Sequence, residues 1–246
     1  LMAAKGSEAT ASASGKTAVV VGVGPGLGIA IVNAFAGQGY TVVAAARRAA
    51  ALETLLFEPG PGRVVPVGCD ATAPDDVERL FAGGEAHGPV EVAVFNAGTF
   101  ERGNVVDTDP KDFERCWRVG CFGGFLVGRA AARRMVERGQ GTILFTGATA
   151  SLRGGAGFVN LAVPKFGLRA VAQSLARELG PLGVHVAHVI IDGQIRSARY
   201  EHLLGARGPD SLLEPTAIAA TYVAVHRQPR SAWTQELDLR PWVEKF

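Results

Sequence analysis

Cysteine is scarce in this chain of 246 residues, where only Cys69, Cys116 and Cys121 occur. Three thiols cannot staple a secreted, disulfide-built fold. Cys116 and Cys121 are expected on one helix, and with no His or Cys at metal-ligand spacing they read as small core residues. Charge of one sign is scarce as well. Lys and Arg total 25 against 23 Asp and Glu, a formal net charge of +2. So small an excess argues against a nucleic-acid-binding stripe or an anionic-membrane surface. No apolar run approaches the roughly 18 residues that a membrane span needs. The first fifteen residues, Leu1 to Gly15, lack both the apolar segment of a signal peptide and the arginines of a transit peptide. They read as a flexible tail, with Leu1 ahead of Met2 as an added residue, and the expected compartment is the cytoplasm.

Apolar residues, by contrast, make up 48% of the chain, and 32 glycines with 13 prolines supply turns. That suits a sizeable core in a single domain. From Lys16 onward, short β-branched runs alternate with helical segments. Strands are expected at Thr17–Gly22, Tyr40–Ala45, Arg63–Val67, Val90–Phe95, Gly141–Phe145 and Val184–Ile191, apolar on both faces as buried parallel strands are. Helices are expected at Leu27–Gln38, Pro74–Phe81, Pro110–Arg138 and Phe158–Leu179. A last helix at Pro215–His226 and a last strand at Glu236–Leu239 complete the pattern. The alternation implies an α/β fold, a doubly wound parallel sheet with helices on both faces. Residues 196–209 are polar, follow a strand, and are placed to act as a lid over a ligand site.

The first strand runs into Val21-Gly22-Val23-Gly24-Pro25-Gly26-Leu27-Gly28 and then a helix. Glycines here let backbone N–H groups approach a pyrophosphate, and the helix N-terminus adds a favourable dipole. The spacing is Gly22-x-x-x-Gly26-x-Gly28, which departs from G-x-G-x-x-G. About twenty residues on, the second strand ends Ala44-Ala45-Ala46-Arg47-Arg48. No Asp or Glu is present there to accept from a ribose 2′-hydroxyl. Two arginines suit a 2′-phosphate instead, which favours NADP(H) over NAD(H).

With these features in order, followed by Cys69-Asp70, Asn96-Ala97-Gly98, Lys165 and Asp192-Gly193-Gln194-Ile195, the chain resembles the short-chain dehydrogenase/reductase family from Lys16 to about Leu239. The resemblance implies a single Rossmann-type domain. It implies that Asp70 accepts from the adenine amino group and that Asn96-Ala97-Gly98 stabilise the sheet beside the cofactor. Ile195 would meet the nicotinamide carboxamide through its backbone. Members of the family usually pair a tyrosine with a lysine four residues later, together with a serine and an asparagine. Here Lys165 stands alone, because the tyrosine position is Leu161, the serine position Ala148 and the asparagine position Gly120. Leucine cannot donate a proton, and alanine cannot bond a developing alkoxide.

Possible substitutes are Thr149 and Ser151 in the same loop, Tyr200 and His202 in the lid, and Lys165 itself with a desolvated amine. Each also has a plain structural reading, as a turn residue, an exposed loop residue or a ribose contact. His185 and His188 on the sixth strand read as satisfied core histidines, and Asp107 and Asp109 as a helix cap region. Two readings stay open: an atypical NADP(H)-dependent oxidoreductase acting on a small molecule, and an inactive NADP(H)-binding sensor or structural protein. No nucleic-acid or membrane partner is expected. A homodimer or homotetramer is expected, formed through Pro110–Arg138, with Arg129, Arg133, Arg134 and Arg138, and through Phe158–Leu179, with the stripe Phe166, Ala170 and Leu175. Core packing alone could also explain that stripe. The segment Trp233–Trp242, with its two tryptophans, is a second candidate interface. Arg196, Arg199, Tyr200 and Arg207 in the lid suggest an anionic or polar ligand, or else a solvated basic loop.

Overall fold

Runs rich in β-branched and apolar residues become the buried strands of a sheet. In the computed structural model all five residues of β1 (Thr17–Val21) and all eight of β6 (Val184–Ile191) are buried. The structure describes residues 15–244, apart from 49, 51, 53, 54, 56 and 59. Residues 1–14 of the expected tail lie outside the described residues. The other strands are β2 (Thr41–Ala46), β3 (Arg63–Gly68), β4 (Val90–Phe95), β5 (Gly141–Thr146) and β7 (Glu236–Leu239). Every expected strand is found within a residue of its expected ends. They form one parallel sheet in the order β3-β2-β1-β4-β5-β6-β7. One expectation fails at the margin: β3 is not buried on both faces, because it is an edge strand and alternates between exposed and half-buried residues.

Alternate residues of each strand feed two separate cores, as the period-2 geometry of a strand requires. Ala18 and Val20 of β1 join Val92, Val94 and Leu144 beneath α1 (Leu27–Ala36), whose Ile31 and Phe35 are fully buried. Val19 and Val21 face the opposite way, toward Phe81, Phe95, Met135, Phe145 and Leu168. Those come from β4, β5, α2 (Pro74–Glu85), α4 (Gly123–Arg138) and α5 (Val159–Leu179). Burying each aromatic side chain contributes roughly 2–3 kcal/mol, so Phe145→Ala would cost about 3–5 kcal/mol.

The expected single helix Pro110–Arg138 is broken. α3 (Pro110–Trp117) passes into a π-helical turn at Arg118–Phe122 before α4 begins. Cys116 and Cys121 are both buried, yet Cys121 sits in this turn and not on a helix shared with Cys116. Close approach of α5 accompanies the break: a Cβ added at Gly120 would lie 2.9 Å from Pro164 Cβ of α5. Asp109 caps α3, accepting from the Lys111 N–H at 2.8 Å, as its position suggested. Two short helices complete the chain, α6 (His202–Arg207) within the lid segment and α7 (Pro215–His226) beside α1.

Several surface expectations also change. Arg133 and Arg134 both pair with Glu78, and Arg138 with Glu85, so these charges are used within the chain. Phe166 and Ala170 are exposed and Leu175 is half-buried, while α5 packs inward through Ala162, Leu168, Ala172 and Leu179. Core packing therefore accounts for Leu175 but not for Phe166 and Ala170. Trp233 stacks on His185 at 4.8 Å, and Trp242 is exposed.

Candidate functional site

Strand order reverses between β1 and β4, and the crevice at their carboxyl ends is where open α/β sheets hold ligands. β1 hands over to Gly22, whose φ of +94° suits glycine and whose added Cβ would fall 2.3 Å from the Ala97 backbone nitrogen. Asn96 closes this junction from β4. Its N–H donates to Val21 O at 2.8 Å and its side-chain amide to Gly22 O at 3.0 Å. Gly26 begins α1 with φ +100° and offers no side-chain cap. Ile29 N–H donates to Gly24 O and Ala30 N–H to Gly26 O. The N–H groups of Leu27 and Gly28 find no acceptor among the described residues, which leaves a first helical turn of free donors for an anion. A side chain at Gly28 would collide with Val23 and Gly22, so the loop folds tightly on the helix start.

Beyond Gly22 the cleft widens to about 300 Å³, lined by Arg47, Arg48, Asp70, Thr72, Asn96, Ala97, Gly98 and Val119 among others. Asp70 Oδ1 accepts from the Thr72 amide and hydroxyl, each at 2.8 Å, which fixes the carboxylate at the cleft edge. Burial, with the Asp76 and Asp70 carboxylates nearby, pushes the Cys69 thiol up to about 11, so it stays protonated. Arg47 and Arg48 are exposed. These two guanidiniums beside a glycine turn form the anion-directed end of the cleft. The unsatisfied helix donors and the cradle that a Cβ would fill both fit a dinucleotide phosphate.

On the other side of Gly22 lies a second cavity of about 420 Å³, lined by Gly26, Leu27, Ala148, Lys165, Gly193, Ile195, Ser197 and Tyr200 among others. Lys165 is buried on α5. Its Nζ donates to Thr146 O at 2.7 Å, and desolvation lowers its pKa to about 8. Leu161 stands one turn earlier on the same helix face, half-buried and purely aliphatic. Ala148 presents only a methyl group, and the side of Gly120 is filled by Pro164.

Neither hydroxyl near Ala148 is free to take part. Thr149 Oγ1 donates to Asp192 at 2.5 Å, and Arg240 pairs with Asp192 behind it. Ser151 is fully buried beneath the loop. Its Oγ accepts from Ala148 N–H at 3.1 Å and lies 3.5 Å from His188 Nε2. His188 Nδ1 is 3.0 Å from Glu236, which Arg169 grips with two bonds of 2.7 and 2.6 Å. Burial pulls His188 down to about 4, with Glu236 acting in the opposite direction. Neutral His188 therefore donates from Nδ1 to Glu236 and accepts from Ser151 at Nε2. His188 is thus the satisfied core histidine expected. His185 bonds Thr234 O through Nε2, and its Nδ1 is without a partner. The Ser151–His188–Glu236–Arg169 chain escaped sequence reasoning, because pairing of His188 with Glu236 follows only from the β6–β7 register.

The lid is tied at its base. Ile195 bridges to Leu213, and Arg196 bonds both Glu201 at 2.8 Å and Glu214 at 2.6 Å. Arg196 is therefore not an unpaired cation awaiting a ligand. Tyr200 reaches the cavity lining with the Arg199 guanidinium 5.4 Å from its ring centre, whereas His202 is exposed and outside the lining. Among the described residues there is no cluster of three or more His, Cys, Asp or Glu able to hold a metal, and no helix long and apolar enough to cross a membrane.

A family model for short chain dehydrogenases matches residues 16–199. The (21S)-21-acetoxyl-apo-melianone synthase of Melia azedarach is 38% identical over 121 residues, 48% of this chain and 45% of that protein. The 3-oxoacyl-acyl-carrier-protein reductase MabA of Mycobacterium avium is 35% identical over 136 residues, 55% of this chain and 53% of that protein. The chain thus spans about half the length of these curated relatives. A short-chain dehydrogenase structure from Rhodopseudomonas palustris is similar over 92% of this chain and 99% of that one, with 41% identity and a TM-score of 0.80. A metagenomic short-chain oxidoreductase in complex with NADP covers 94% of this chain and 100% of its own, with 26% identity and a TM-score of 0.78.

Proposed function

Because the chain belongs to the short-chain dehydrogenase family, we propose that it is an NADP(H)-dependent oxidoreductase with a proton donor other than the family's tyrosine. Its substrate is a small carbonyl or alcohol, or an activated double bond. The observation that carries this reading is the cleft itself, which runs from Arg47 and Arg48 across Gly22 to Lys165. Gly22, Gly26, Leu27 and Gly28 would hold the pyrophosphate, Asp70 and Asn96-Ala97-Gly98 the adenosine side, and Ile195 the carboxamide. Arg47 and Arg48 favour a 2′-phosphate, and the NADP-bound metagenomic relative supports that preference. Bound NADP(H) supplies or takes up hydride. Lys165 would hold the nicotinamide ribose, and with a pKa near 8 it exchanges its proton close to neutral pH.

Leu161, Ala148 and Gly120 favour a second reading, an NADP(H)-binding sensor or structural protein that turns nothing over. Both readings carry a homodimer or homotetramer, supported by the exposed Phe125, Val163 and Phe166 on α4 and α5. Calorimetric titration of nucleotide-free protein with NADPH and NADH tests the shared premise. Tighter NADPH binding is expected, and no binding of either sinks both readings. Loss of absorbance at 340 nm with a carbonyl panel, set against Lys165→Ala, then separates enzyme from sensor. Light scattering at micromolar protein checks the oligomer, and a monomer would refute it.

A further inference from the structure

Reducing a carbonyl requires a proton at oxygen as well as hydride at carbon, so an oxidoreductase needs a donor facing the cavity. Most polar side chains around the Lys165 cavity can be followed to a partner. Asn96 gives its amide to Gly22 O, and Lys165 donates to Thr146 O. The Thr146 hydroxyl is 2.8 Å from that of Tyr222, deep in the core, and Arg196 is held by Glu201 and Glu214. Thr149 and Ser151 are engaged behind the loop by Asp192 and His188. Two residues of the cavity lining, Ser197 and Tyr200, carry hydroxyls that remain without a hydrogen-bond partner among the described residues. A phenol is a far better proton donor than an aliphatic hydroxyl. Tyr200 is also held in place: its N–H donates to Ser197 O, its carbonyl accepts from Leu203, and the Arg196–Glu201 pair pins the turn on which it sits.

We infer that Tyr200, reaching in from the lid, is the proton donor of this site. The inference rests on the oxidoreductase reading above. As the substrate carbon takes up hydride, its oxygen takes the Tyr200 phenol proton and C=O becomes CH–OH. The reduced dinucleotide is oxidised, and the phenolate regains its proton from solvent. Tyr200 then belongs to the lid segment, whereas the family's tyrosine position, here Leu161, lies on α5.

Two measurements on the full chain decide it. Tyr40 and Tyr222 are buried, so tetranitromethane should nitrate Tyr200 alone, read by peptide mass spectrometry. Saturating NADP⁺ should slow that nitration several-fold, and an unchanged rate overturns the placement of Tyr200 over the cleft. In turnover with NADPH and a panel of 1,2-diketones and quinones, Tyr200→Phe should lower kcat about 100-fold. Its NADPH affinity should be unchanged. If Tyr200→Phe instead keeps near wild-type kcat, the inference fails and the oxidoreductase reading stands. If the wild type binds NADPH but consumes none on any carbonyl, the oxidoreductase reading fails and takes this inference with it.

Discussion

On one side of Gly22, the cleft is made of groups left for a ligand, the oriented Asp70 carboxylate and the exposed Arg47 and Arg48. The unsatisfied amides of Leu27 and Gly28 lie across the glycine turn, at the entrance to the second cavity. On the other side, nearly every polar group is already bonded to the protein, and the remaining walls are Ala148, Gly193 and Ile195. On the proposed reading, a nucleotide half with groups left for contact adjoins a reacting half whose polar groups are mostly spent within the protein. The difference teaches that binding and chemistry are separable within one crevice, and that each half fails in its own way when perturbed.

The largest effect is expected at the hinge between the halves. Gly22→Val would place a Cβ 2.3 Å from the Ala97 nitrogen, at a φ of +94° that a β-branched residue rarely adopts. Backbone cannot retreat as a side chain can, so a loss of about 3 kcal/mol or more is expected, with nucleotide binding abolished. Urea denaturation and NADPH titration check both. A variant of wild-type stability that still binds would show that the junction is slack.

Acid should distinguish the halves next. His188, behind the reacting half, is held near 4 from its ordinary 6.5, chiefly by burial, and His226 at the opposite end of the sheet is lowered to a similar value. Each binds a proton more readily when unfolded. Their stabilisation is therefore complete above about pH 6.5, falls as pH drops toward 4, and changes no further below that. Each contributes up to about 3 kcal/mol across that window. Denaturation measured from pH 7 to 4 should show a shallower slope for His188→Gln than for wild type. An identical slope would mean that His188 takes up no extra proton on unfolding in this window, and that its burial does not lower it.

A smaller effect asks whether the reacting half can be refitted. Gly120→Asn would bring a Cβ to 2.9 Å from Pro164 Cβ, an overpacking that costs about 1–3 kcal/mol. Adding Pro164→Gly should recover most of that loss, since the close contact is with the Pro164 Cβ, which alanine would keep. The two changes should be strongly non-additive in a thermal-denaturation cycle. Additive losses would place the strain elsewhere in the π-helical turn.

Legibility in the sequence follows the same division. Strands such as Val184–Ile191 and Val90–Phe95 were readable because burial on both faces demands predominantly apolar runs, in which only His185, His188 and Glu91 are polar here. The glycine turn was readable because close backbone approach and a left-handed φ leave few alternatives to glycine. What stayed hidden depends on register and on long-range packing. The break at Arg118–Phe122 accompanies Pro164, some forty residues later, pressing on Gly120. The fates of Thr149, Ser151 and Arg196 were set by Asp192, His188, Glu201 and Glu214, and only folding brings the first two of these partners near. Side-chain partners across a cavity leave no periodicity to read.

The smallest effect is the most specific to the nucleotide half. Arg47 and Arg48 follow β2, are exposed, and line the cleft with Asp70. A solvent-exposed guanidinium gains little from a surface carboxylate, but a divalent phosphate clamped by two of them is a charge-assisted pair. Replacing both with alanine should weaken NADPH binding about tenfold, equivalent to about 1.4 kcal/mol, because exposure screens the interaction. NADH lacks the 2′-phosphate, so its affinity should stay the same, and the ratio of the two constants should move toward one. Raising salt from low ionic strength should erode the wild-type preference in parallel, while leaving the double variant nearly indifferent. Equal losses for both nucleotides would instead mean that the arginines shape the adenosine end as a whole, and the phosphate preference would need another source.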